Sequence, residues 1–150
     1  MIPLNLPPFE IKITKQSGHF LVYDPLRHRK VTLTPEEWVR QHFVNFLISI
    51  KHFPATLMAN EVTIAIGGNT RRCDTVLYSK VEGRPRVVIE YKAPHTKITQ
   101  ETFNQISAYN SILRADYLIV SNGLQHYCCH IDYNENRYEF LKDIPDFNDL

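Results

Sequence analysis

"RRCDTVLYSKVEGRPRVVIEYKAP", residues 71–94, sets one aspartate in a strand-like run and then a glutamate and a lysine two positions apart in the next. Charges on buried strands are costly unless they are partnered. If Val81-Glu82-Gly83 is a three-residue hairpin loop with Gly83 left-handed, Lys80 pairs with Arg84 and Asp74 falls opposite Glu90. Alternation along the strand turns Lys92 to the face of Glu90, with Arg72 opposite it, and sends Cys73 to the other face, into the core. A two-residue loop would instead oppose Asp74 to Tyr91 and break the constellation.

Two carboxylates on one face repel unless a cation lies between them. Magnesium suits such a pair, because it takes one or two carboxylates, keeps several waters and completes its shell with phosphate oxygens. The neighbouring Lys92 ammonium can orient or help deprotonate a water and balance charge on a phosphate. The plain alternative is a surface hairpin with solvated charges, worth little energetically. Val87-Val88-Ile89 argue against it, since they mark a buried strand.

Upstream, "FEIKIT" and "HFLVYD" read as a hairpin, followed by the basic cluster Arg27-His28-Arg29-Lys30. Thr34-Pro35-Glu36-Glu37 supplies an N-cap, a first-turn proline and a capping-box glutamate. The helix it starts has Trp38, Phe43, Phe46, Leu47 and Ile50 mostly on one face and Glu37, Arg40, Gln41 and Asn45 on a polar side, and it ends before Pro54. "EVTIAI", "CDTVLY" and "RVVIEY", joined by turns at Gly67-Gly68-Asn69 and Glu82-Gly83, form three antiparallel strands. Tyr23, Trp38 and Phe43 are expected in the core.

Downstream, Thr99 to about Leu113 is a second amphipathic helix, and the continuously apolar "YLIVS" is a strand buried on both faces. The strand-helix-strand crossover places Tyr117–Val120 parallel to Val87–Tyr91 in a mixed sheet. A last strand, "QHYCCHIDY", leads into an acidic tail. The expected organisation is a single domain over 1–150, with a hairpin extension (1–30), a core (31–132) and a tail (133–150).

Composition narrows the rest. A chain of 150 residues with 43% hydrophobic side chains can bury a core, and its formal charge of +1 provides no global field for nucleic acid, so any contact with DNA must be local or assisted. Three cysteines, two of them adjacent, are a poor disulfide framework, and the N-terminus has no basic leader, which points to a reducing cytoplasm. His126, Cys128 and His130 share one face of a strand, but strand spacing does not close a tetrahedral zinc site. Arg71, Arg72, Lys97 and Arg114 could contact phosphates, Arg72 and Lys97 being the better placed. The cluster at 27–30 reads equally well as a solvated loop.

"D74…E90-Y91-K92" resembles the PD-(D/E)xK nuclease superfamily, with no proline before Asp74, and "Q105-I-S-A-Y109" is similar to the Gln-xxx-Tyr motif of its helicase-coupled branch. With "TPEEWVRQHF", "RRCDTVLY", "VIEYKAP" and "YLIVSNGLQHYC", the resemblance extends from about Arg27 to Asp132 and is to the N-terminal nuclease domain of type I restriction enzyme R subunits. It implies an α/β, restriction-endonuclease-like fold with a central mixed sheet flanked by helices, and magnesium- or manganese-dependent hydrolysis of DNA. By the same resemblance Asp74 and Glu90 would bind the metal, Lys92 would be catalytic, and Gln105 and Tyr109 would place DNA or organise the site. Glu37 and Glu61 are weaker metal candidates. No ATP-binding phosphate loop is present, so the expectation is either a solitary relative or a chain whose motor or specificity subunit is supplied in trans. The rival expectation is a non-catalytic DNA-binding or assembly module of a restriction-type complex.

Overall fold

A computed structural model describes all 150 residues. A small antiparallel sheet comes first, with strands β1 (Ile13–Gln16), β2 (His19–Asp24) and β3 (Arg29–Thr32). Helix α1 (Pro35–Ser49) leads to a six-stranded sheet of β4 (Met58–Ile66), β5 (Asn69–Tyr78), β6 (Pro85–Tyr91), β7 (Tyr117–Ser121), β8 (His126–Asp132) and β9 (Arg137–Leu141), in chain order. Helix α2 (Gln100–Leu113) makes the crossover that sets β7 parallel to β6, and every other pair is antiparallel.

The helices start where the sequence places them. The Thr34 hydroxyl accepts from the Glu37 amide at 3.0 Å, with Pro35 in the first turn. Thr99 and Thr102 make a reciprocal capping box on α2, which ends at Arg114 in the left-handed conformation. Each helix covers one side of the large sheet. Val39, Phe43 and Leu47 of α1 pack with Leu77, Val87, Ile89, Tyr91 and Ile119. Ile106 and Tyr109 of α2 pack with Cys73, Val76, Val88, Leu118 and Val120. Strand β7 is buried at all five positions, as its apolar run requires with helices on both faces.

Several expectations are corrected. The N-terminal hairpin is a three-stranded sheet, because Arg29 and Lys30 of the basic cluster extend into β3, while "FEIKIT" becomes strand only from Ile13. The segment 133–150 is not a tail: β9 pairs with β8, and Ile144, Phe147 and Leu150 return to the α1 side of the core. Tyr23 is exposed. Cys73 does lie in the core, but on the α2 side, the side to which Glu90 also turns.

The polar side of α1 is also inside, with Glu37, Arg40 and Gln41 only 4–6% exposed. Charged partners make this burial possible. The Glu37 carboxylate does not reach back as a capping-box acceptor; it receives the Arg27 guanidinium and the Gln41 amide instead.

The β5–β6 hairpin reaches its expected register by an unexpected route. The Ser79 amide donates to the Arg84 carbonyl at 2.8 Å, so the loop is Lys80–Gly83, one residue longer than expected, and Lys80 does not pair with Arg84. A bulge then shifts the register: Tyr78 faces Pro85 and Leu77 faces Val87, which leaves Arg86 as the extra residue. The bulge cancels the longer loop. Val76 faces Val88 and Thr75 faces Ile89, which brings Asp74 to the level of Glu90.

Candidate active site

Strand pairing between β5 and β6 stops at Thr75–Ile89, one row before the two carboxylates. There the Asp74 side chain takes over the acceptor's role of a backbone carbonyl: its Oδ2 accepts from the Tyr91 amide at 2.7 Å. On the other side of β5, the pairs Asn60–Thr75 and Val62–Cys73 leave Glu61 opposite Asp74. Glu61 has φ +58°, and the strand changes phase there: Met58 packs on the α1 side, whereas Val62, Ile64 and Ile66 pack on the α2 side. The sheet is thus irregular at the row that carries the acids.

Glu90 points toward α2. Its Oε2 accepts from the Tyr109 hydroxyl at 2.8 Å and its Oε1 from the Lys92 ammonium at 3.2 Å. The two-residue spacing of a strand and the crossover helix therefore deliver Glu90, Lys92 and Tyr109 to one spot. Burial and the charge of Glu90 raise the Asp74 carboxyl to about 7. Burial and the same carboxylate push the Tyr109 phenol upward, so it remains a hydrogen-bond donor.

On the α1 side Asp74 meets Arg40. This guanidinium lies 3.4 Å from Asp74 Oδ1, 2.5 Å from Glu61 Oε1 and 3.4 Å from Glu37 Oε2, and it stands over the Tyr91 ring at 5.8 Å. Burial opposes its charge, but Glu37, Asp74 and Glu61 more than compensate and raise its pKa. The chain of charges continues outward through Glu37 to Arg27 and then Asp24 of β2. Asp24 is fully buried and also accepts from Asn60 at 2.9 Å, while Asn60 accepts from the Thr75 hydroxyl at 2.6 Å. The small sheet is tied by buried polar groups to the residue next to Asp74.

Asp74, Glu90, Lys92 and Tyr109 are brought together, whereas Gln105 is not: it is exposed on α2 and makes no side-chain hydrogen bond. Lys97 is exposed beyond β6. Arg72 pairs with Thr63 across β4–β5, reaches Glu61 at 3.5 Å, and does not lie opposite Lys92. Glu37 and Glu61 hold arginines. No group of three or more His, Cys, Asp or Glu side chains is arranged to hold a metal ion. His126 is engaged by Ser121 at 2.7 Å and the Asn5 carbonyl at 2.9 Å, and all three cysteines are free and buried. Arg40 escaped the sequence reading; its only signal was the i, i+3 spacing from Glu37.

Comparison with known proteins bears on the family and the fold. Residues 35–145 match the family model of the type I restriction enzyme R protein N terminus. No curated protein sequence matches the chain. Among solved structures, the fragment structure of a putative HsdR subunit of a type I restriction enzyme from Vibrio vulnificus YJ016 is similar, with a TM-score of 0.56 at 19% identity. The similarity covers 75% of this chain and 24% of that one, so the chain spans about a quarter of that structure's length. The α/β architecture is thus restriction-endonuclease-like, with a mixed sheet between helices and a small N-terminal sheet. No helix is long and apolar enough to cross a membrane. With 35–145 matched, most of its length, this chain belongs to the family of type I restriction enzyme R protein N-terminal regions.

Proposed function

We propose that the chain is a magnesium-dependent endonuclease that hydrolyses DNA phosphodiester bonds, with manganese able to replace magnesium. The supporting observation is the row that sets Asp74 at the level of Glu90, with Lys92 hydrogen-bonded to Glu90 and Tyr109 bracing it from α2. Two carboxylates fit magnesium, which needs few protein ligands and keeps its waters. The raised Asp74 pKa marks a place where a further positive charge is favourable. When bound, the ion would acidify a water and neutralise phosphate charge.

The chain's own groups have separate tasks. Asp74 and Glu90 hold the cation, with Asp74 fixed by the Tyr91 amide and Glu90 by Tyr109. The Lys92 ammonium, 3.2 Å from Glu90, orients the attacking water and faces the charge developing on the phosphate. Arg40 keeps Glu61 and Glu37 neutralised, so that they support the site and do not compete for the ion. DNA cleavage in a restriction complex, with motor and sequence recognition on other parts or subunits, is the setting this reading assigns.

One observation favours the non-catalytic module: Arg40 already supplies Asp74 with a positive charge. The test is incubation with linear and supercoiled DNA in magnesium or manganese, with chelator and Lys92→Ala as controls. Metal-dependent cutting lost in the variant supports the nuclease. DNA binding without cutting under either metal supports the module.

A further inference from the structure

A polar cleft of about 630 Å³ opens between the small N-terminal sheet, the first turn of α1 and the β4–β5 edge of the large sheet. Arg27, Arg29, Lys30, Arg40 and Arg72 line it, against the three carboxylates Glu36, Glu37 and Glu61. These cations divide into two sets. Arg27 and Arg40 are bound to Asp24, Glu37, Glu61 and Asp74, and form the floor. Arg29 and Lys30 are exposed and belong to no ion pair, while Arg72, 72% exposed in its side chain, has only a 3.5 Å contact with Glu61.

From this geometry we infer that the cleft holds the sugar-phosphate backbone of DNA beside Arg40, the lining residue that contacts Asp74. The inference rests on the nuclease reading and adds a binding wall to it. Arg29 and Lys30 line one wall and Arg72 the other, with Arg40 and Glu61 between them, and Arg40 is the one link from the cleft to Asp74, 3.4 Å away. No aromatic side chain lines the cleft, and only Leu21 and Val31 are apolar. It offers no stacking platform for bases, its exposed cations suit phosphate, and phosphate contacts carry no sequence information.

The wall's rigidity has a structural source. Asp24, opposite Arg29 in the β2–β3 pair, is anchored to Asn60 of β4, so Arg29 is carried on an element fixed to the large sheet. Residues 13–32, which form this wall, lie outside the family match at 35–145. The cleft therefore lies between the matched region and the N-terminal sheet before it, which carries Arg29 and Lys30.

The experiment uses the full chain and fluorescence anisotropy with labelled duplexes of two unrelated sequences, in chelator, across a salt series. The test protein is Arg29→Gln/Lys30→Gln, and Arg137→Gln/Lys142→Gln, at the opposite end of the sheet, is the charge-matched control. The inference expects equal affinity for both sequences in the wild type. It also expects the slope of log K against log salt to shrink by about 1.8 in the test variant, about 0.9 per lost phosphate contact, and to persist in the control. Wild-type affinity would then fall about tenfold more than the variant's between 50 and 200 mM salt.

Equal slopes in test variant and wild type, an equal loss in the control, or no DNA binding by the wild type would overturn the inference. Because binding is read without metal, a parallel cutting assay separates the two readings. Binding lost in the variant from a chain that never cuts upholds the cleft and rejects the nuclease. Cutting with unchanged binding slopes does the reverse.

Discussion

The Tyr109 hydroxyl donates to Glu90 Oε2 at 2.8 Å, and so couples the crossover helix to the strand that carries the glutamate and the lysine. Tyr109 is 4% exposed, and burial holds its phenol protonated, so this hydrogen bond persists across the working pH range. A helix that packs on the sheet through Ile106 thereby also fixes a carboxylate oxygen.

Tyr109→Phe should keep the ring packing and lose the hydrogen bond to a charged acceptor, at a cost of about 1.5–3 kcal/mol in urea unfolding. Under the nuclease reading it should also weaken manganese binding by about 10–100-fold, as loss of a ligand's supporting partner does. Calorimetric titration with manganese checks the second effect independently of cutting.

Metal should stabilise the folded chain. At a concentration about a hundred times its Kd, magnesium or manganese should add about 2.7 kcal/mol. Asp74→Ala should abolish the gain, whereas Gln105→Ala, on an exposed side chain without partners, should preserve it and stay within about 0.5 kcal/mol of the wild type in metal-free stability. Thermal shifts with and without metal test both variants together.

Arg40→Ala should be among the most damaging single substitutions. It leaves Asp74 without a cation, Glu61 with only the exposed Arg72 and Glu37 with Arg27 alone, and breaking a buried pair of this kind costs about 3–5 kcal/mol. Arg72→Ala touches the same Glu61 from a largely exposed position and should cost about 0–1 kcal/mol. Urea midpoints for the two variants make the comparison.

Acid should loosen the N-terminal sheet. Burial pushes the Asp24 carboxyl up, but hydrogen bonds from Asn60 and Arg27 outweigh it, and the folded pKa lies below the ordinary 3.8. The unfolded state then binds the proton more readily, so this contribution to stability is complete above about pH 5 and is lost as pH falls through 3.8 and the lower folded value. Asp24→Asn should flatten that part of the pH–stability curve, as followed by circular dichroism.

Much of this architecture is legible without coordinates because it depends on short-range rules. Thr34 and Thr99 cap helices through their own turns, and the apolar "YLIVS" demands cover on both faces. Strand spacing likewise put Lys92 on the face of Glu90, whereas Tyr109 was expected there only through the family resemblance. The exposed Gln105 shows the limit of such spacing: it is four residues from Tyr109, yet only Tyr109 reaches the sheet.

By itself the sequence determined the helix starts, the crossover, the alternation that pairs Glu90 with Lys92, and the family pattern. The first three follow from propensity, period and spacing, and the last from the resemblance of its motifs to a known family. Only the tertiary structure decided that a longer loop and a bulge cancel to bring Asp74 level with Glu90. It also decided that Arg40 is a buried counter-charge and that Asp24 locks a separate sheet to Asn60, 36 positions along the chain. The reason is physical: the cost of a buried charge is settled by the groups that surround it, and here those groups come from β2, α1, β4 and β5, which only the folded chain brings together.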